Sequence, residues 1–216
     1  LPLEELRPGD LMGNVLVRRE PLGVIAAMVP WNYPQALAMW KIAPALAAGN
    51  TVVVKPALET ALDANVIAEA AIAAGLPAGV LNIVPGGVEA GQALGAHPDV
   101  DKVAFTGSTQ TGRIIGDVCG RLLRPVTLEL GGKSAAVVLD DADAVATAAG
   151  LAGVSFPNNG QTCYASTPIL ALAHRYGEIL DAVTDMARSL SVGDPFDPAT
   201  EIGPVVSARQ RERIEG

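Results

Sequence analysis

The stretch "KVAFTGSTQTG", residues 102–112, passes from an apolar run of strand length through a Gly-Ser turn into a helical segment. A strand that is nearly continuous in apolar residues is covered on both faces, as the strands of parallel sheets are. The same unit recurs upstream. Apolar runs "GVIAAMV" (23–29), "TVVVK" (51–55) and "VLNIV" (80–84) are each followed by an Ala-rich segment, predicting helices over 35–47, 60–74 and 88–95, with a fourth over 110–119 after the quoted strand. Strands and helices alternating across Gly or Pro junctions make the βαβ pattern. The fold class is therefore α/β, a doubly wound, mostly parallel, Rossmann-like sheet, and such sheets take ligands beyond the carboxyl ends of their strands.

Downstream, "VTLEL" and "AAVVL" read as further strands, with helices near 142–154 and 174–190, so part of a second α/β lobe is expected from about Gly131. Gly131-Gly132 reads equally as a hinge or as an ordinary turn. With 216 residues, half of them apolar, the chain can bury a substantial core. A net charge of −8 with no cluster of Lys or Arg disfavours binding to a phosphate backbone, so no nucleic-acid partner is expected. The apolar runs are too short to span a bilayer, so no membrane partner is expected either. The opening "LPLEELRPGD" has no initiator Met and no basic segment leading into an apolar one, and "ARQRERIEG" reads as a helix begun and cut. A partial chain of a cytoplasmic protein is the expectation.

Several residues carry candidate chemistry. In "FTGSTQTG", Ser108 opens a helix where free amides and the helix dipole suit an anion, and simple N-capping would use the same residue. This is not a G-x-G-x-x-G loop. Lys55 ends the strand of "VVVKPALET" at the edge where a ligand would lie. Asn32, in "VPWNYP", is held between two prolines either as a rigid hydrogen-bond donor or as an ordinary Asx turn. Glu129, in "LELGGKS", is an acid in an otherwise apolar strand. It marks a polar edge or, if desolvated, a general base with a raised pKa. Of two cysteines, Cys119 in "IIGDVCGRLL" reads as a core residue, whereas Cys163 in "FPNNGQTCYAS" stands among turn-forming polar residues as a reactive or an incidental thiol. His97 and His174 belong to no metal-ligand motif, and no metal is expected.

Taken in order, "PWNYP", "KPALET", "FTGSTQTG", "LELGGKS" and "GQTC" resemble the aldehyde dehydrogenase superfamily, with similarity running from about Val17 to Gly216. The resemblance implies oxidation of an aldehyde by NAD or NADP, with NAD slightly favoured. Cys163 is then the nucleophile, Glu129 the general base, Asn32 the oxyanion-binding amide and Lys41 a lysine of the active site. It places Lys55 at the adenosine ribose, Ser108 at the pyrophosphate, Trp31 and Gly86 along the cofactor path, and Leu130 near the nicotinamide. Gly160 and Gln161 shape the nucleophile loop, and Thr162 and Tyr164 line the aldehyde tunnel. The implied organisation is a remnant of an oligomerisation arm over 1–20, a dinucleotide-binding domain over 21–130 and the first part of a catalytic domain over 131–216. A homo-oligomer is expected at full length.

The chain departs from the family pattern at two residues, and it also ends before the family's second acidic motif, whose Glu binds the nicotinamide ribose. Leu58 stands where a ribose-binding Glu is usual, with Glu59 one place later, and Pro168 stands where Arg is common after the nucleophile. The first weakens the basis for preferring NAD, and the second is expected to alter the following strand. Two rivals follow: a noncatalytic dinucleotide-binding or structural scaffold, and a thiol esterase using Cys163 and Glu129 without hydride transfer.

Overall fold

The structure is a computed structural model that describes residues 2–9 and 13–216. Parts of the arm expected over 1–20 (residues 1 and 10–12) lie outside the described residues. The chain divides into two compact units, residues 1–130 and 131–216.

The first unit opens with an antiparallel pair, β1 (Glu4–Arg7) and β2 (Val15–Arg18), tied by the Arg18 guanidinium donating to Glu4 at 2.9 Å. The extended segment expected at "NVLVRRE" is thus half of a hairpin whose other half, "EELR", is too short and too charged to announce itself. Five parallel strands follow: β3 (Val24–Met28), β4 (Thr51–Lys55), β5 (Leu81–Ile83), β6 (Lys102–Gly107) and β7 (Val126–Leu130). Their order is β5-β4-β3-β6-β7, so the winding reverses between β3 and β6. Four helices connect them: α1 (Pro34–Ala47), α2 (Asp63–Ala73), α3 (Val88–Ala96) and α4 (Thr109–Arg121).

Burial explains the unbroken apolar run of β3. Ile25 and Ala27 join Leu37, Ala38 and Ile42 of α1 and Val52 and Val54 of β4 in one core on one face of the sheet. Ala26 and Met28 point the other way, into a second core with Val103 and Phe105 of β6 and Ile115 and Cys119 of α4. Successive residues of a strand face opposite sides, so a central strand covered on both has no position left for a polar residue. "VTLEL" is the fifth strand of this sheet, paired with β6 from Val103↔Val126 to Gly107↔Leu130. As an edge strand it keeps Val126, Thr127 and Glu129 exposed, which is why its apolar pattern is interrupted. The helix predicted over 60–74 is a short 3₁₀ turn, Leu58–Thr60, followed by α2.

The second unit holds β8 (Ser134–Val137) and β9 (Ser166–Leu170), paired in parallel, with α5 (Ala144–Ser155), α6 (Tyr176–Ser189) and α7 (Ala208–Glu215). Its core gathers Val138, Ala144 and Ile179. The strand after the Cys163 loop forms despite Pro168, but the register slips: Ser134 opposes Ser166 while Ala136 opposes Ile169. That bulge gives β9 one extra residue beside a proline that has no N–H to contribute to a ladder.

Candidate active site

In the first unit most of the expected residues gather at the carboxyl edge of the sheet. Trp31 and Asn32 follow β3, Lys55 ends β4, Gly86 follows β5, Ser108 follows β6, and Glu129 and Leu130 end β7. This edge spans the reversal between β3 and β6, the point at which doubly wound sheets open a crevice. Trp31 and Asn32 are half-buried in a bend that Pro34 converts into the first turn of α1. Leu130 packs against α4 at Gly112, where an added Cβ would stand 2.4 Å from a Leu130 methyl, so glycine is what permits the approach.

Ser108 is the N-cap of α4. Its Oγ accepts from the Thr111 N–H at 3.2 Å and donates to Thr111 Oγ1 at 3.0 Å. Capping is therefore realised. It leaves the first amides of the helix, as at any helix start, without an intrahelical acceptor at the place where an anion would sit.

Lys41 reaches back from α1 to the sheet, donating from Nζ to Thr106 Oγ1 at 2.5 Å, with the Leu37 carbonyl at 3.4 Å. Thr106 is buried and lies opposite Glu129 in the β6–β7 register. Burial pushes the Lys41 pKa down, and the Glu129 carboxylate acts against that shift. Thr106 thus anchors Lys41 one strand away from Glu129, a role that its place at a strand end ahead of Gly-Ser did not reveal. Glu129 itself is exposed, so the desolvated acid considered from the sequence is not what stands here. Lys55 is half-buried and donates to the Pro56 carbonyl at 3.0 Å. Burial lowers its pKa, with Glu59 opposing, so a carboxylate does stand near Lys55 although Leu58 occupies the usual position.

Cys163 belongs to the second unit and is exposed, whereas Cys119 is fully buried and its thiol pKa is raised by desolvation. The loop before Cys163 holds three successive residues in the left-handed region: Asn158 (φ 51), Asn159 (φ 57) and Gly160 (φ 75). Thr162, expected in the tunnel wall, is held within its own loop. It is buried and donates to the Pro157 carbonyl at 3.0 Å, while Tyr164 is exposed. Gly132 lies against the loop, where an added Cβ would stand 3.1 Å from the Cys163 carbonyl oxygen. Among the described residues no group of His, Cys, Asp and Glu could hold a metal ion, and no helix is long and apolar enough to cross a membrane.

The sequence profile of the aldehyde dehydrogenase family matches residues 5–216. Geranial dehydrogenase of Castellaniella defragrans is 57% identical over 212 residues, 98% of this chain and 44% of that protein. Phenylacetaldehyde dehydrogenase of Pseudomonas fluorescens is 49% identical over 208 residues, 96% of this chain and 41% of that protein. Among solved structures, the aldehyde dehydrogenase of Mycobacterium tuberculosis complexed with NAD+ superposes with a TM-score of 0.91 at 51% identity, covering 99% of this chain and 44% of that one. The chain spans less than half the length of each of these relatives.

Proposed function

The chain belongs to the aldehyde dehydrogenase family, and on that premise we propose that the protein carrying it oxidises an aldehyde to a carboxylic acid with NAD(P), using Cys163 as nucleophile. The observation that carries this reading is the exposed Cys163 thiol within a match that spans nearly the whole chain, the only other thiol being buried. The carboxyl edge of the first unit suits a dinucleotide: a helix start at Ser108 for the pyrophosphate, half-buried Lys55 for the ribose, and Trp31, Gly86 and Leu130 along the path between. A nicotinamide bound along that path would supply the hydride acceptor.

The residues of the chain do the rest. The Cys163 thiolate adds to the aldehyde carbonyl, and the resulting oxyanion accepts hydrogen bonds from the Asn32 amide and the Cys163 N–H. Loss of hydride leaves a thioester on Cys163. Glu129 then takes a proton from the water that attacks the thioester, releasing the acid and restoring the thiolate. An exposed Glu is free to take that proton. Lys41, held by Thr106 beside Glu129, supplies a positive charge to the same edge.

Two relatives are named for geranial and phenylacetaldehyde at 57% and 49% identity, against 45% and 42% for two named for betaine aldehyde. Uncharged aldehydes with apolar bodies are therefore the substrate class to assay first. NAD is slightly favoured over NADP, since Glu59 keeps a negative charge near Lys55 that a 2′-phosphate would meet. A cytoplasmic homo-oligomer is part of the same reading, supported by the apolar Leu6 and Leu16 exposed on the β1–β2 hairpin. In the full-length protein, Cys163→Ser should nearly abolish aldehyde-dependent reduction of either cofactor while sparing cofactor binding. Substantial turnover by that variant would sink the assignment.

A further inference from the structure

Building on the reading of Cys163 as nucleophile, we propose that Asn159 and Gln161 are positioning residues, two side-chain amides that clamp the nucleophile loop to the Gly203–Val206 segment and so fix how the thiol is presented. Asn159 Nδ2 donates to the Pro204 carbonyl at 3.0 Å, and its Oδ1 accepts from the Gly203 N–H at 3.0 Å. Gln161 Oε1 accepts from the Val206 N–H at 2.9 Å, and its Nε2 donates to the Asn158 carbonyl at 3.1 Å. Each partner is a backbone group that can only donate or only accept, so the orientation of both amides is dictated by the network.

The loop requires such a clamp. Left-handed residues are tolerated singly, with Asn and Gly the least penalised, and a run of three is unfavourable unless its surroundings over-determine it. The two amides anchor it four and two residues before Cys163. Their target is itself held: the bridge Val192↔Ile202 and the Gly193 N–H bond to the Ile202 carbonyl at 3.0 Å lead directly into Gly203. On the far side Gly132 closes against the Cys163 carbonyl. The nucleophile therefore sits in a short span pinned at both flanks, with the Thr162 hydroxyl bonded to the Pro157 carbonyl to complete it. An ångström of drift at a reacting centre can cost about a hundredfold in rate, so loss of the clamp should appear in chemistry before it appears in binding.

The test uses the full-length protein, the pre-steady-state burst of reduced cofactor, the KM for cofactor and the rate of Cys163 alkylation by iodoacetamide. Asn159→Ala and Gln161→Ala should each slow the burst by about tenfold or more, with cofactor KM changed less than about threefold and Cys163 still alkylated. Asn159→Asp and Gln161→Glu keep the acceptor oxygens facing the Gly203 and Val206 N–H groups but lose the donated bonds, so they should slow the burst less than the alanine variants and still by more than about twofold. Burst rates within about twofold of the parent in both alanine variants would overturn the proposal. Should the alanine variants not fold, the Asp and Glu variants decide. Each loses one donated bond, so parental burst rates in both would overturn the proposal equally, and slowed bursts would support it. A burst retained in Cys163→Ser would mean that the nucleophile assignment itself has failed, whatever the clamp does.

Discussion

At the scale of single residues, the two half-reactions of the proposed mechanism would assign different work to Asn32 and Glu129, and kinetics can separate them. If Asn32 is the oxyanion donor proposed above, Asn32→Ala should slow the burst itself, at a cost of about 3 kcal/mol in the barrier. Glu129→Gln should leave the burst visible while steady-state turnover falls and acyl-enzyme accumulates, because only thioester hydrolysis needs the base. A Glu129→Gln variant that loses cofactor binding without accumulating acyl-enzyme would point to a structural role. Lys41 offers a further check. Burial holds its folded pKa below the ordinary lysine value, so between the two values the unfolded chain keeps a proton that the folded chain has released. Stability attributable to this residue therefore rises as pH climbs through that window. Removing the opposing charge with Glu129→Gln should push the Lys41 pKa lower still. NMR titration of the Lys41 side chain in parent and variant would show it, and an ordinary lysine titration in both would contradict the contact.

At the scale of elements, what could be read in advance depended on burial. The central strands β3 and β6 were evident because both faces are covered and their residues are correspondingly apolar, and β4 because it buries Val52 and Val54 on one face and half-buries the other. The edge strand β7 and the hairpin strand β1 show mixed patterns because one face meets solvent. The residues at strand ends, Asn32, Lys55, Ser108 and Glu129, were legible as candidates since βαβ geometry delivers loop residues to one edge. Contacts built across long sequence separations were not. Neither Thr106 beneath Lys41 nor the Asn159 and Gln161 amides on Gly203–Val206 leaves a local pattern. Arg175 is another such case: its guanidinium donates to the carbonyls of Asp140 and Ala142 at 2.7 Å each and pairs with Glu178, pinning the turn between β8 and α5. Arg175→Met should leave those acceptors short of a partner and lower stability by about 1–3 kcal/mol, measured by denaturant unfolding of the full-length protein. A change below about 0.5 kcal/mol would show that water replaces the guanidinium without penalty.

At the scale of the whole molecule, the chain carries the proposed nucleophile, base, oxyanion amide and strand-edge cofactor residues within less than half the length of its relatives. The proposed hydride transfer would need the nicotinamide held close to the carbon bonded to Cys163, where a small misplacement costs about a hundredfold. The second unit also exposes large apolar side chains, among them Val137, Leu139, Val145, Val192 and Phe196, the last at 94%. Apolar side chains left this exposed favour association where they adjoin. The isolated 216-residue polypeptide should therefore self-associate and show little or no aldehyde-dependent reduction of NAD or NADP, whereas the full-length protein should turn over if the bulge at Pro168 leaves the nucleophile loop in place. Sedimentation of the isolated chain and side-by-side specific activities would test both halves of this expectation. A monodisperse, monomeric polypeptide with activity comparable to the full-length protein would mean that the segments beyond these residues contribute neither cover for the second unit nor placement of the nicotinamide.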